Sequence, residues 1–298
     1  MPQDKQQIAA RQLRLVTYLS IAANVLLIGV KFLVGFITAS LSLLADGVHS
    51  VSDMLTDLTV LLGLYLGSKK PDSSHQYGHG KLETLAAVAI AVSLFGVGLG
   101  MIYYAALDIA KDKVAHPRNL VLIAAVGAIA VKEVVYRVTK TVAMKYHCAA
   151  ALANAWHDRA DALSSLAVIA GVVAQKFRFN HGDQVAAIAV GIMVVVVSVR
   201  IIADAFGELT ERAVDRALID QIKGIIKANG QIRQYHRLRT RAVGREVFLD
   251  LHILVDPSLN VAAAHQIAEN LEDALDEQLT RPVNITVHIE PDIPALRE

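Results

Sequence analysis

His157 and Asp161 stand one helical turn apart in Ala151-Leu-Ala-Asn-Ala-Trp-His-Asp-Arg-Ala-Asp-Ala-Leu-Ser-Ser165, inside a long and largely apolar stretch. Side chains at i and i+4 share a helix face, so this imidazole and this carboxylate point the same way. His49 and Asp53 repeat the spacing in Leu43-Leu-Ala-Asp-Gly-Val-His-Ser-Val-Ser-Asp-Met54. Two such helices packed face to face present two imidazole nitrogens and two carboxylate oxygens, a complete tetrahedral donor set for a divalent ion such as zinc. An aspartate at the centre of a membrane helix costs about 2.5–3.5 kcal/mol, so Asp53 and Asp161 together cost roughly 5–7 kcal/mol, comparable to the net stability of a domain. Metal ligation or proton relay is the chemistry that justifies such a cost. A single His–Asp pair could be structural; two pairs with one spacing point to ligation.

The elements that carry these pairs read as membrane spans. The chain is 54% hydrophobic and 19% charged, far from the balance of a soluble domain. Apolar runs near 13–37, 41–66, 82–107, 120–142, 152–173 and 185–203 make six spans joined by short loops, an α-helical membrane bundle. The net charge of +1 gives no electrostatic reason to expect nucleic acid, and Cys148 as sole cysteine rules out an intrachain disulfide and thiolate metal clusters. Residues 2–12 are polar and the first apolar run is long enough to span, so no cleavable secretory signal is expected. Placing Arg11, Arg14, Lys69, Lys70, Lys81, Arg137, Lys140 and Lys145 inside puts the N-terminus in the cytoplasm, and an even number of spans returns the C-terminus there.

From about Thr210 the composition becomes that of a soluble domain, which divides the chain into 1–209 and 210–298. Val214, Leu218, Ile222 and Ile226 recur at helical period, 247–255 and 283–289 alternate as strands, and 261–279 is a second amphipathic helix started by Asn260 or Ser258. With a weaker strand around 237–243, the order α-β-β-α-β predicts a small open sheet covered on one side by helices.

Two further sets of donors accompany these elements. The loop after the second span holds Asp72, His75 and His79, with Gly78 and Gly80 freeing the backbone; a solvated loop is the plainer alternative. In the tail, His252, His288 and Glu290 alternate with the apolar positions and project from the uncovered sheet face, while His236 precedes the first strand and His265 lies near the start of the second helix. Among the remaining polar residues, Asn24, Lys31, Lys132, Glu133 and Arg137 are read as interhelical hydrogen bonding or snorkelling ahead of a water path. Gly29, Gly35, Gly96, Gly98 and Gly100 are expected to let helices approach closely.

The paired His-x-x-x-Asp motifs, His75-Gln-Tyr-Gly-His-Gly-Lys81, Leu238-Arg-Thr-Arg241 and Val287-His288 resemble the cation diffusion facilitator family over essentially the full length, in its bacterial zinc/iron exporter type. The resemblance implies a homodimeric, multi-pass protein of the plasma (inner) membrane, with contacts through membrane helices and a cytoplasmic ferredoxin-like α+β domain similar to a metallochaperone. It implies export of divalent cations in exchange for protons. His49, Asp53, His157 and Asp161 fall on the family's transport-site positions, and Asp72, His75 and His79 on its loop site. His236, His252, His265 and His288 fall on its tail site, where Glu290 replaces the usual Asp. Zinc is implied as substrate and regulatory ligand, with iron as the alternative and no prosthetic group.

The residues alone support the same mechanism. Imidazole must be neutral to ligate and its ordinary pKa is about 6.5, so protons and metal compete for the same nitrogens near neutral pH. An intramembrane metalloenzyme would need an open coordination position and a general base, whereas four protein ligands close the site and no His-Glu-x-x-His occurs. The absence of a Gly-rich Lys-Ser/Thr phosphate loop argues against an ATP-driven pump. A non-transporting membrane sensor that uses only the tail is the remaining class.

Overall fold

The structure is a computed structural model that describes residues 2–37, 54, 56–111, 119–176 and 182–297. It separates into two compact units, one of Ala10–Phe206 and one of Met1–Ala9 with Gly207–Glu298. His49, Asp53 and most of the apolar run at 41–66 lie outside the described residues.

The first unit is helical: α1 (Pro2–Ile37), α2 (Thr56–Gly67), α3 (Lys81–Ala110), α4 (Asn119–Lys145), α5 (Ala149–Lys176) and α6 (Gly182–Leu209), the last reaching past its boundary. Among the described residues, Ile8–Val34, Lys81–Ala110 and Ala187–Leu209 are long and apolar enough to cross a membrane. Helices α4 and α5 coincide with the runs at 120–142 and 152–173 and are joined by a tight turn in which His147 takes a φ of 51°.

Small residues set the crossings. A Cβ on Gly63 would stand 2.7 Å from that of Ala86, so α2 and α3 meet there nearly backbone to backbone. A Cβ on Gly98 would stand 3.0 Å from the Gly191 carbonyl oxygen, and one on Gly191 2.9 Å from that of Gly98, which marks the α3–α6 crossing. Among the described residues, nothing lies within 4 Å of a Cβ on Gly29, Gly96 or Gly100, so none of them marks such a crossing there. For Gly96 and Gly100 the reason is helical geometry, since residues two apart on a helix face different sides. The start of α5 is buried alanine (Ala150, Ala151, Ala153) packed with Leu13, Val60, Leu64, Ala87 and Ile90. Such small side chains let helices gain van der Waals contact where lipid removes the hydrophobic drive between them.

The second unit follows the predicted order, with α7 (Arg216–Ala228), β1 (Gln234–Val243), β2 (Glu246–Val255), α8 (Val261–Gln278) and β3 (Val283–Pro291). The sheet order is β1-β2-β3; β1 and β2 form an antiparallel hairpin, and α8 is the crossover that lets β3 run parallel to β2. Ile222, Ile225 and Ile226 of α7 and Ile267, Leu271 and Leu275 of α8 bury the Val247, Leu249, Leu251, Ile253 and Val255 face of β2. Asp215 caps α7 by accepting from Leu218 N at 2.9 Å, and Asn260 caps α8 by accepting from Ala263 N at 2.8 Å. Ser258 is instead held in the preceding turn by Asp256.

β1 begins earlier than its apolar pattern suggests. It pairs from Gln234, opposite Leu254, and absorbs an irregularity between His236 and Arg239 where Arg237 adopts a φ of 52°. His236 therefore lies within the strand rather than before it, because backbone pairing extends past the alternating side chains.

Candidate metal centres

In the membrane unit, α5 holds His157 and Asp161 on one face with Nε2 and Oδ2 4.0 Å apart. A tetrahedral ion with bonds of about 2.0–2.2 Å sets an edge of roughly 3.3–3.5 Å between such donors, so a small rotation brings both onto one ion. His157 is only 4% exposed. Lys132 reaches across from α4, its Nζ 2.7 Å from Asp158 Oδ1 and 3.1 Å from Asp161 Oδ2. Asp158 is buried beside it.

A second carboxylate cluster adjoins this pair. Asp57 of α2 is buried and saturated: its Oδ1 accepts from Ser20 Oγ at 2.9 Å and Asn154 Nδ2 at 2.7 Å, and its Oδ2 from Asn24 Nδ2 at 2.7 Å. Ser20 Oγ also lies 3.2 Å from Asp158 Oδ2, so one hydroxyl bridges two carboxylates. Side chains from α1, α2, α4 and α5 thus converge on one connected polar network. Low polarity makes each unsatisfied member costly, and full satisfaction makes the network rigid. The sequence leaves Lys132 between interhelical bonding, snorkelling and a water path, and gives Ser20 and Asp158 no role. A signal was present, because Ser20/Asn24 and Asn154/Asp158 are i,i+4 pairs on apolar helices.

In the loop, Asp72 Oδ1 accepts from Ser74 Oγ at 2.7 Å, His75 N at 2.7 Å and Ser74 N at 2.9 Å. These bonds, the Ser74 hydroxyl first, hold the Asp72 carboxyl well below the usual carboxylate range. His79 Nε2 lies 3.5 Å from Asp72 Oδ2, and the His75 and His79 rings are 4.3 Å apart. Gly78 at φ 80° supplies the left-handed residue that turns the chain back between the two histidines. One donor atom from each of Asp72, His75 and His79 falls within 4.8 Å of the others, and the buried His79 Nδ1 has no hydrogen-bond partner among the described residues.

In the tail, register does the positioning. His236 sits opposite His252, and His252 opposite His288, so three imidazoles form a row across three strands with centroid spacings of 5.2 and 4.5 Å. Glu290, two residues on along β3, points to the same face. Its Oε1 is 2.9 Å from His252 Nδ1 and 3.4 Å from His288 Nε2, and its Oε2 is 3.1 Å from His236 Nε2. The hydrogen bond with His252 holds the Glu290 carboxyl below its usual range, aided by the neighbouring imidazoles. The His236–Glu290 approach lacks hydrogen-bond geometry, and among the described residues both buried ring nitrogens of His236 are without a hydrogen-bond partner. Nitrogen and oxygen that face one point without bonding to each other suit a shared cation. His236, His252 and Glu290 converge within 4.8 Å, with His288 at the exposed edge. His265 is not brought to this row; it projects from α8 with Nε2 3.3 Å from Glu269.

A family model described as the cation efflux transmembrane domain matches residues 17–210, and one described as the cation efflux protein cytoplasmic domain matches 214–292. Metal tolerance protein C1 of Arabidopsis thaliana is 31% identical over 92% of this chain, and the match spans 61% of that protein, under two thirds of its length. The manganese efflux system protein MneP of Bacillus subtilis is 27% identical over 98% of this chain and 99% of its own. Among solved structures, CzrB in its Zn form is 26% identical with a TM-score of 0.27, covering 29% of this chain and 96% of that one. Matched through its membrane helices and its tail alike, the chain belongs to the cation efflux, or cation diffusion facilitator, family of multi-pass divalent metal transporters.

Proposed function

We propose that the protein exports Zn2+ from the cytoplasm in exchange for protons, by alternating access of a membrane site built from His157 and Asp161 together with His49 and Asp53. The observation that carries this reading is the His157–Asp161 pair on α5, a buried imidazole and a partly buried carboxylate one turn apart, with 4.0 Å between Nε2 and Oδ2. Two nitrogens and two oxygens suit tetrahedral zinc, and zinc lies above iron and manganese in intrinsic affinity. On the cytoplasmic side neutral imidazole loads the ion; on the outer side protons displace it. The protein acts as a homodimer with both termini in the cytoplasm. Its tail cluster of His236, His252, His288 and Glu290 binds zinc as a regulatory ligand, joined by His265 from a second copy, and the Asp72/His75/His79 loop is a further binding site.

Purified protein in liposomes tests this reading. Zinc-dependent proton flux is expected from the unaltered chain and none from His157→Ala. Flux indifferent to an imposed pH gradient would count against antiport, and transport surviving loss of His157 and Asp161 would favour a sensor. A second reading, manganese as substrate, draws on the end-to-end similarity to MneP and on the carboxylates of Asp57 and Asp158 in the adjoining network. Iron is the further alternative, since imidazole and carboxylate suit it too. Competition at equal free concentrations separates the three, and His49→Asp, which trades a nitrogen for an oxygen, is expected to relax selectivity toward manganese and cadmium.

A further inference from the structure

Lys132 is set against the oxygen that the transported ion needs. Its Nζ lies 3.1 Å from Asp161 Oδ2, the same atom that stands 4.0 Å from His157 Nε2. An ion bridging His157 and Asp161 would sit about 2.0–2.2 Å from that oxygen. Two cations so close, in a setting that water does not screen, repel strongly. Lys132 also has somewhere else to go. Asp158 Oδ1, 2.7 Å from the same Nζ, is buried and is not one of the metal donors, so the ammonium can leave Asp161 without losing its counter-charge. From this geometry we infer that Lys132 is a tethered competitor of the transported cation. It holds Asp161 between transport cycles, swings wholly onto Asp158 when a divalent ion binds, and returns to help expel the ion.

This inference rests on the assignment of His157 and Asp161 as transport ligands and adds a residue that tunes them. A second cation held by the protein keeps the carboxylates from standing unneutralised in lipid, where the cost of charge is high. It also weakens binding to a level from which the ion can leave, because the apparent affinity falls by the fraction of time the site is taken. Asp158 is the positioning residue for this exchange, while Ser20, bonded to both Asp57 and Asp158, ties it to the rest of the network.

The test is the zinc dependence of flux in proteoliposomes, split into KM and kcat. Lys132→Gln removes the competitor, so KM should fall about tenfold while kcat drops as release slows. Asp158→Asn takes away the alternative resting place, leaves the ammonium on Asp161 and should raise KM. Lys132→Arg should stay near the unaltered protein. The double variant Lys132→Gln/Asp158→Asn removes one charge of each sign and so keeps the net charge of the network, guards against misfolding of the single variant, and should also show a lowered KM. A purely structural ion pair would not move KM in opposite directions for the two single variants. An unchanged or raised KM in both neutral variants, or no flux from either, overturns the proposal. Asp161→Asn separates the two layers: if it retains full flux, the transport-site assignment itself falls, whereas a dead Asp161→Asn with KM unmoved by Lys132 removes only the competitor.

Discussion

In α5 a histidine and an aspartate one turn apart meet a lysine from the neighbouring helix, whereas in the tail sheet three histidines on adjacent strands meet a glutamate. Both centres use imidazole and carboxylate. They differ in how the charge is managed. Inside the helical unit the carboxylates of Asp57, Asp158 and Asp161 are answered by Lys132, Ser20, Asn24 and Asn154, each within hydrogen-bonding distance. At the sheet surface His288 is 62% exposed, and water can solvate the edge of the cluster. There His236 and Glu290 stand close without a mutual hydrogen bond, an arrangement that a low-polarity interior would penalise. Charges buried in an apolar helical unit must be held by neighbouring side chains; charges at a sheet surface can be left to solvent.

The largest expected effect breaks the membrane side of this contrast. His157→Ala or Asp161→Ala should reduce flux to that of protein-free vesicles while the melting temperature changes little, because Lys132 keeps Asp158 in either variant. Wild-type flux would remove the site. Next in size is Asp57→Ala, which strands donors from Ser20, Asn24 and Asn154; thermal unfolding in detergent should show a loss of about 3–5 kcal/mol, and Asp57→Asn a smaller one.

The tail should respond in the reverse sense, with binding lost and fold kept. Glu290→Ala in the full chain is expected to weaken tail zinc binding by about 10–100-fold, read by titration in a background carrying Asp161→Ala, with little change in melting. His236→Ala should cost more affinity than His288→Ala, since His236 is buried in the cluster and His288 sits at its rim; equal losses would mean that the register does not rank the ligands.

The smallest effect concerns acid stability of the tail away from metal. Ser258 hydrogen bonds, first from its hydroxyl and then from its backbone N–H, hold the Asp256 carboxyl below its usual range. A carboxylate depressed in the folded state stabilises above its ordinary pKa of about 3.9, and the contribution fades as pH falls through the lowered value. Asp256→Ala should therefore lower the melting temperature slightly at pH 6 and converge with the parent chain under strong acid. A constant difference across pH would assign the effect to packing.

Much of this was legible without coordinates, for identifiable reasons. Helical period places His157 and Asp161 on one face, and apolar alternation places His252, His288 and Glu290 opposite the Leu249/Leu251 core. These are local properties, set by bond geometry and by the period of the element. His236 shows the limit: its place in the row depends on an irregularity and a left-handed Arg237 in β1, which the pairing with β2 requires and side-chain alternation does not announce.

What the amino-acid order determined by itself was the inventory of donors, their faces and the kind of element carrying each one. The tertiary structure alone decided which faces meet. Lys132 could have snorkelled to either surface or lined a water path; the rotation of α4 against α5 put its ammonium between Asp158 and Asp161. In the same way Gly98 rather than Gly96 or Gly100 became the crossing point, and His265 remained with Glu269 on α8. Helix rotation and strand register are fixed by the sum of many weak contacts along whole elements, and no short stretch of sequence contains that sum.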